Sequence, residues 1–172
     1  TITVTDVDEA PTDLALSATT VAENVAIGTT VATVTVSDPD AGDDTGGDYV
    51  AADNAISGTD AASFADADSG STIILKTATT LDFETKASYS ITLTVDDADD
   101  SSLTYNEAFT ITVTDLDEAP TDIALSASAV NENVAIGTTV ATITVSDPDA
   151  GDDTGGDYVA ADNAISGDDG GD

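Results

Sequence analysis

Residues 1–58 recur as residues 110–167, an offset of 109, and 52 of the 58 pairs are identical. Most exceptions are conservative, such as Leu14/Ile123 and Val34/Ile143. A period that long is a whole domain rather than one turn of a solenoid, so the chain reads as a tandem array of domains. Residues 1–9 read as the last strand and linker of a preceding repeat, 10–118 as one complete repeat, and 119–172 as the first half of the next. That last segment has no counterpart of Ile73–Val113 and cannot close a domain alone. Residue 1 falls inside a strand pattern, so the sequence reads as a window cut from something longer.

The patterning within the complete repeat is that of β-strands. Leu14–Leu16 and Thr20-Val21 read as a first strand interrupted near Ser17–Thr19. Val31–Val36 is β-branched and puts Ala32, Val34 and Val36 on one face. Asp38–Asp44 is an acidic loop and Gly46-Gly47 a turn signal. Tyr49–Ile56 and Ala62–Ala65 are weaker strands, and Thr72–Leu75 reads as a short buried one. Tyr89–Val95 and Phe109–Val113 alternate cleanly. About seven strands in 109 residues, with no helical period, predict an all-β chain of tandem Greek-key sandwiches of the immunoglobulin-like kind.

Charge narrows the function. Lys and Arg number 2 against 35 Asp and Glu, for a net charge of -33, with no Cys and no His. This excludes disulfides, zinc held by thiolate or imidazole, and a basic surface for nucleic acid or anionic lipid. No stretch approaches the ~20 apolar residues of a membrane span, and none reads as a signal segment. Two carboxylates ~5 Å apart repel by roughly 1–3 kcal/mol, so such a chain needs counter-ions. An enzyme is not expected. There is no imidazole base or thiol nucleophile, and with no Trp and few other aromatics little is left to stack a sugar beside a carboxylate pair.

Five acidic elements stand out: Ala22-Glu23-Asn24, Asp38-Pro39-Asp40, Leu81-Asp82-Phe83-Glu84, Asp97-Ala98-Asp99 and Asp115-Leu116-Asp117-Glu118. The last is followed by Ala119-Pro120, and Asp6-Val7-Asp8-Glu9-Ala10-Pro11 is its earlier copy. A Pro closes each linker and stops the strand from continuing. Taken singly, each is also a common surface turn or strand end. Taken in this order, they resemble the cadherin repeat in the form seen in large bacterial surface proteins. Glu23-Asn24 stands before Gly28-Thr29, the loop resembles LDxE, and the linker resembles DxNDNxP.

The resemblance implies calcium at each junction between repeats. At one junction it assigns Glu23, Asp82, Glu84, Asp115, Asp117 and Glu118 from the upstream side, and Asp147 and Asp149 from the following repeat. At the other, Asp6, Asp8 and Glu9 would meet Asp38, Asp40 and Asp97. The linker has one residue fewer before its Pro than the family pattern, and Ala119 and Ala10 stand where that pattern often has Asn. Independently, calcium takes six to eight oxygens at about 2.3–2.6 Å, and carboxylates remote in sequence meet only in a folded module. An EF-hand loop starting at Asp38 fails, because its twelfth position is Tyr49. The expected function is a calcium-stiffened extracellular spacer or adhesive stalk at a cell surface, its partners being adjacent repeats of the same chain or another cell surface. Two alternatives stand beside it: a subunit of a self-assembling filament or surface layer of identical chains, and a salt-adapted acidic β-domain without specific metal.

Overall fold

The computed structural model describes residues 1–5, 7–40, 55–68, 72–97 and 100–149. The Gly46-Gly47 turn, most of the strand expected from Tyr49, Asp6 and Asp99 lie outside these residues. The chain divides into two compact units, Thr1–Leu116 and Asp117–Asp172.

The first unit is a β-sandwich. Its strands are β1 (Asp13–Leu16), β2 (Thr20–Ala22), β3 (Thr30–Ser37), β4 (Ala55–Ser57), β5 (Phe64–Asp68), β6 (Ile73–Thr77), β7 (Ser88–Asp96) and β8 (Thr104–Thr114). One sheet has the order β1-β3-β6-β5 and the other β2-β8-β7-β4. Alternation along each strand turns one side chain in two inward. Val34, Val36, Ile73 and Leu75 from one sheet and Ile91, Leu93, Val95, Ile111 and Val113 from the other are buried in a common core. Phe64 and Tyr89 meet edge to face, their ring centroids 5.8 Å apart.

The interrupted first strand has a structural reason. β1 pairs antiparallel with β3, while β2 pairs parallel with the end of β8, so the chain changes sheets between them. Ser17 makes the break: its N–H bonds the Thr33 carbonyl at 3.0 Å, and its hydroxyl accepts the Thr33 N–H at 2.9 Å. In β3 the register slips between Thr30 and Ala32, so Val31 and Ala32 are both buried despite being neighbours.

Three boundaries differ from the sequence reading. The strand expected at Ala62–Ala65 begins with a single 3₁₀ turn at Ala61–Ser63 and becomes extended only from Phe64. Lys86, Asp60 and Ser90 fasten this turn: Asp60 pairs with Lys86 and accepts the Ser90 N–H at 2.7 Å. β6 runs on to Thr77 and lies between β3 and β5, because inward Ile73, Leu75 and Thr77 continue the alternation through a polar residue. β8 begins at Thr104, five residues before the apolar pattern does, since its first half pairs with β7 along its whole length. Thr1–Thr5 repeats the sequence of Thr110–Thr114 but forms no strand, and Ile2 and Val4 are exposed. Thr110–Thr112 pair with Ser88–Ser90 of β7, and Val113 and Thr114 with Val21 and Ala22 of β2, all within their own repeat.

In the second unit, β9 (Asp122–Leu125) and β10 (Ile143–Ser146) form a two-stranded sheet with the register of β1 and β3. Ile123, Leu125, Val130, Val140 and Ile143 are exposed there, while Val145 is buried.

Candidate metal centre

β8 sets the geometry of the first unit's acidic groups, because one lies at each of its ends. Its first residue, Thr104, pairs with Asp96, next to Asp97; its last, Thr114, pairs with Ala22, next to Glu23. Ten steps at about 3.3 Å separate the two ends by about 33 Å.

At the far end, parallel pairing of β2 carries Glu23 to the exit of β8, where its N–H bonds the Thr114 carbonyl at 3.1 Å. Asn24 then takes a left-handed conformation, with φ 56°, and its N–H reaches the Leu81 carbonyl at 2.9 Å. Asn is among the few residues that tolerate this region. Leu81 is completely buried and roots the Leu81–Glu84 loop in the core. Asp82 caps that loop, accepting the Thr85 N–H at 2.8 Å and the Thr85 hydroxyl at 2.9 Å.

Glu23 is only 1% exposed. One carboxylate oxygen accepts the Phe83 N–H at 2.9 Å and the other accepts the Leu116 N–H at 2.8 Å. Bonds to a charged acceptor are the strong ones, and two of them offset the cost of burying the group. Glu23 thereby joins the Leu81–Glu84 loop to the linker. Oxygens of Glu23, Asp82 and Glu84 lie within 4.8 Å of one another. Oxygens on one calcium ion, at about 2.3–2.6 Å each, are at most about 5 Å apart, so the spacing fits. The donor set fits too: all three are carboxylates, and Glu23 retains acceptor capacity beyond its two bonds, since a carboxylate offers about four lone-pair sites. Asp115 follows Thr114 and is exposed, outside this cluster.

At the other end, Asp38 and Asp97 are buried where β3 and β7 stop. Asp38 accepts the Asp40 N–H at 2.9 Å, and Asp97 accepts the Asp100 N–H at 3.0 Å. Asp40 in turn accepts the Glu9 N–H at 2.7 Å. Asp8 and Glu9 are exposed. The second unit repeats this pattern on its own: Asp147 accepts the Asp149 N–H at 3.1 Å, and Asp149 accepts the Glu118 N–H at 2.7 Å. Asp117 is exposed and Glu118 half-buried. The Phe83 and Leu116 amides that hold Glu23 escape a sequence reading, because backbone groups leave no residue-type signature. The left-handed Asn24 does leave one: its copy Asn133 also has positive φ, 60°.

The sequence profile of the cadherin domain matches residues 17–114, more than half of the chain. Among solved structures, extracellular cadherin domains 3–6 of protocadherin gamma B2 are 26% identical over 86% of this chain, with a TM-score of 0.57. Domains EC1-2 of human protocadherin-24, at 20% identity over 84% of the chain and a TM-score of 0.63, share the fold. The chain spans 35% of the first structure and 62% of the second. No curated protein matches the chain. On the strength of the profile match, with its strands and sheets in place, the chain belongs to the cadherin domain family.

Proposed function

We propose that this chain is a calcium-binding, non-enzymatic stretch of an extracellular adhesion protein, serving as a spacer that calcium stiffens. A cadherin domain is an extracellular adhesion-type module, and the protocadherin gamma B2 structure is of extracellular domains. The observation that carries the calcium reading is the convergence of Glu23, Asp82 and Glu84 within 4.8 Å, with Glu23 buried. Residues 60 positions apart are held together there with few cations in the whole chain to balance them.

In the proposed junction these three act with Asp115, Asp117 and Glu118 of the linker and with Asp147 and Asp149 of the following repeat. The corresponding set for the preceding junction is Asp6, Asp8, Glu9, Asp38, Asp40 and Asp97. Complete repeats then run from about residue 10 to 118, with acids at both ends, which suits head-to-tail arrays. When bound, calcium supplies the positive charge that these carboxylates need; the chain's own contribution is to hold Glu23 by two amides and to present Asp82 and Glu84 beside it. Binding and docking of neighbouring repeats are then coupled.

The test is calcium titration at constant ionic strength. Calcium raises the melting temperature and lengthens the maximum dimension in solution scattering, whereas equal additions of sodium or magnesium do neither. An equal response to all salts would show an acidic domain that needs only screening.

A further inference from the structure

We propose that flexing between repeats is confined to Leu116 and Asp117, and that the linker beyond them travels with the downstream repeat whether or not metal is bound. The inference rests on the reading of this linker as the joint between repeats. Two charge-assisted bonds, one within each unit, bracket the segment. The Leu116 N–H is held by buried Glu23 at 2.8 Å in the first unit. The Glu118 N–H is held by Asp149 at 2.7 Å in the second. Peptide planes are rigid, so the torsions left between the two anchored amides are φ and ψ of Leu116 and of Asp117. Past Glu118, the Thr121 N–H bonds the Ser146 carbonyl at 2.8 Å and the segment is already tied to β10.

The downstream anchor is local. It recurs as Glu9 N–H to Asp40 at the same 2.7 Å, although the described residues of the second unit form only β9 and β10. It therefore needs only the strand pair and the turn that ends it. The upstream anchor draws on remote parts of the sandwich, since the Glu23 carboxylate is buried between the Phe83 and Leu116 amides. The joint is thus short and defined on both sides by contacts that involve no ion.

Amide hydrogen exchange of the whole chain in chelator tests this. The Leu116 and Glu118 amides are expected to exchange at least about tenfold more slowly than that of Asp117. Asp149→Ala should release Glu118 while Thr121 stays protected; Asp149→Asn, which keeps an acceptor oxygen, should retain the Glu118 protection. Glu118 exchanging as fast as Asp117 in the unsubstituted chain overturns the proposal. So does loss of Glu118 protection, with Thr121 still protected, in Asp149→Asn. If Asp149→Ala also exposes Thr121, the Asp149→Asn result decides. Because no metal is present, failure here leaves the calcium reading standing, and a chain that ignores calcium leaves the exchange pattern unchanged.

Discussion

Replacing Glu23 by Gln separates the two jobs this residue is given. The amide keeps one acceptor oxygen but presents an NH₂ group in place of the other, so either the Phe83 or the Leu116 N–H loses its partner. Losing a hydrogen bond to a charged group costs about 1.5–3 kcal/mol. Against this, the substitution removes a charge whose oxygen lies within 4.8 Å of those of Asp82 and Glu84. Both partners are exposed, and at an effective dielectric of about 40–80 each repulsion is worth about 1–2 kcal/mol. Two such repulsions relieved, about 2–4 kcal/mol together, largely offset the one bond lost, so without metal the stability should change by no more than about 2.5 kcal/mol. With calcium the balance differs, because a charged ligand is gone. A tenfold weaker affinity lowers the calcium-dependent part of the unfolding free energy by about 1.4 kcal/mol. Urea unfolding followed by circular dichroism, in chelator and in saturating calcium at matched ionic strength, measures both terms. An equal fall under the two conditions would refute the reasoning, leaving Glu23 a structural clasp only. An unchanged calcium increment would remove it from the ligand set.

Three further outcomes follow from the same structure. Leu81→Ala empties a completely buried position beneath the Leu81–Glu84 loop and should cost about 2–5 kcal/mol by urea unfolding in chelator, the range for large-to-small core changes. The Lys86 ammonium and the Ser90 N–H hold the Asp60 carboxyl below the usual carboxylate range. A depressed folded-state value stabilises above the unfolded-state value of about 3.9 and is lost as pH falls through the lower one. Asp60→Asn should therefore be less stable than the parent at neutral pH, and the gap should close below about pH 4. Asp117→Ala should weaken calcium binding in calorimetry and shorten the maximum dimension seen by scattering in calcium, whereas Thr35→Ser, on the exposed side of β3, should alter neither.

Much of the sandwich is legible in the sequence because burial in a two-layer fold imposes a period of two. Tyr89–Val95 and Val31–Val36 alternate, and β7 and β3 form there. Where pairing rather than burial makes the strand, the pattern falls silent. Thr104–Ala108 has weak alternation and is extended because β7 lies beside it. The first strand shows its break, but not that the halves join different sheets. The acids were legible as elements; which of them converge was not, since Glu23 and Asp82 are brought together by the parallel pairing of β2 with β8 and by a core Leu.

The two copies make the division plain. Asp149 grips the Glu118 amide just as Asp40 grips that of Glu9, at the same distance, once in each unit. That clasp is written into adjacent residues: a strand pair, an Asp-Pro-Asp turn and a linker amide within reach. Glu23 is sealed between two backbone amides, of Phe83 and Leu116, that lie 60 and 93 positions away. Its burial comes from strands and loops far along the chain, because a carboxylate can be buried only where backbone donors replace its water. Composition and spacing therefore decided that this chain would be acidic and built of β-strands, while the closed sandwich alone decided where three of its acids meet.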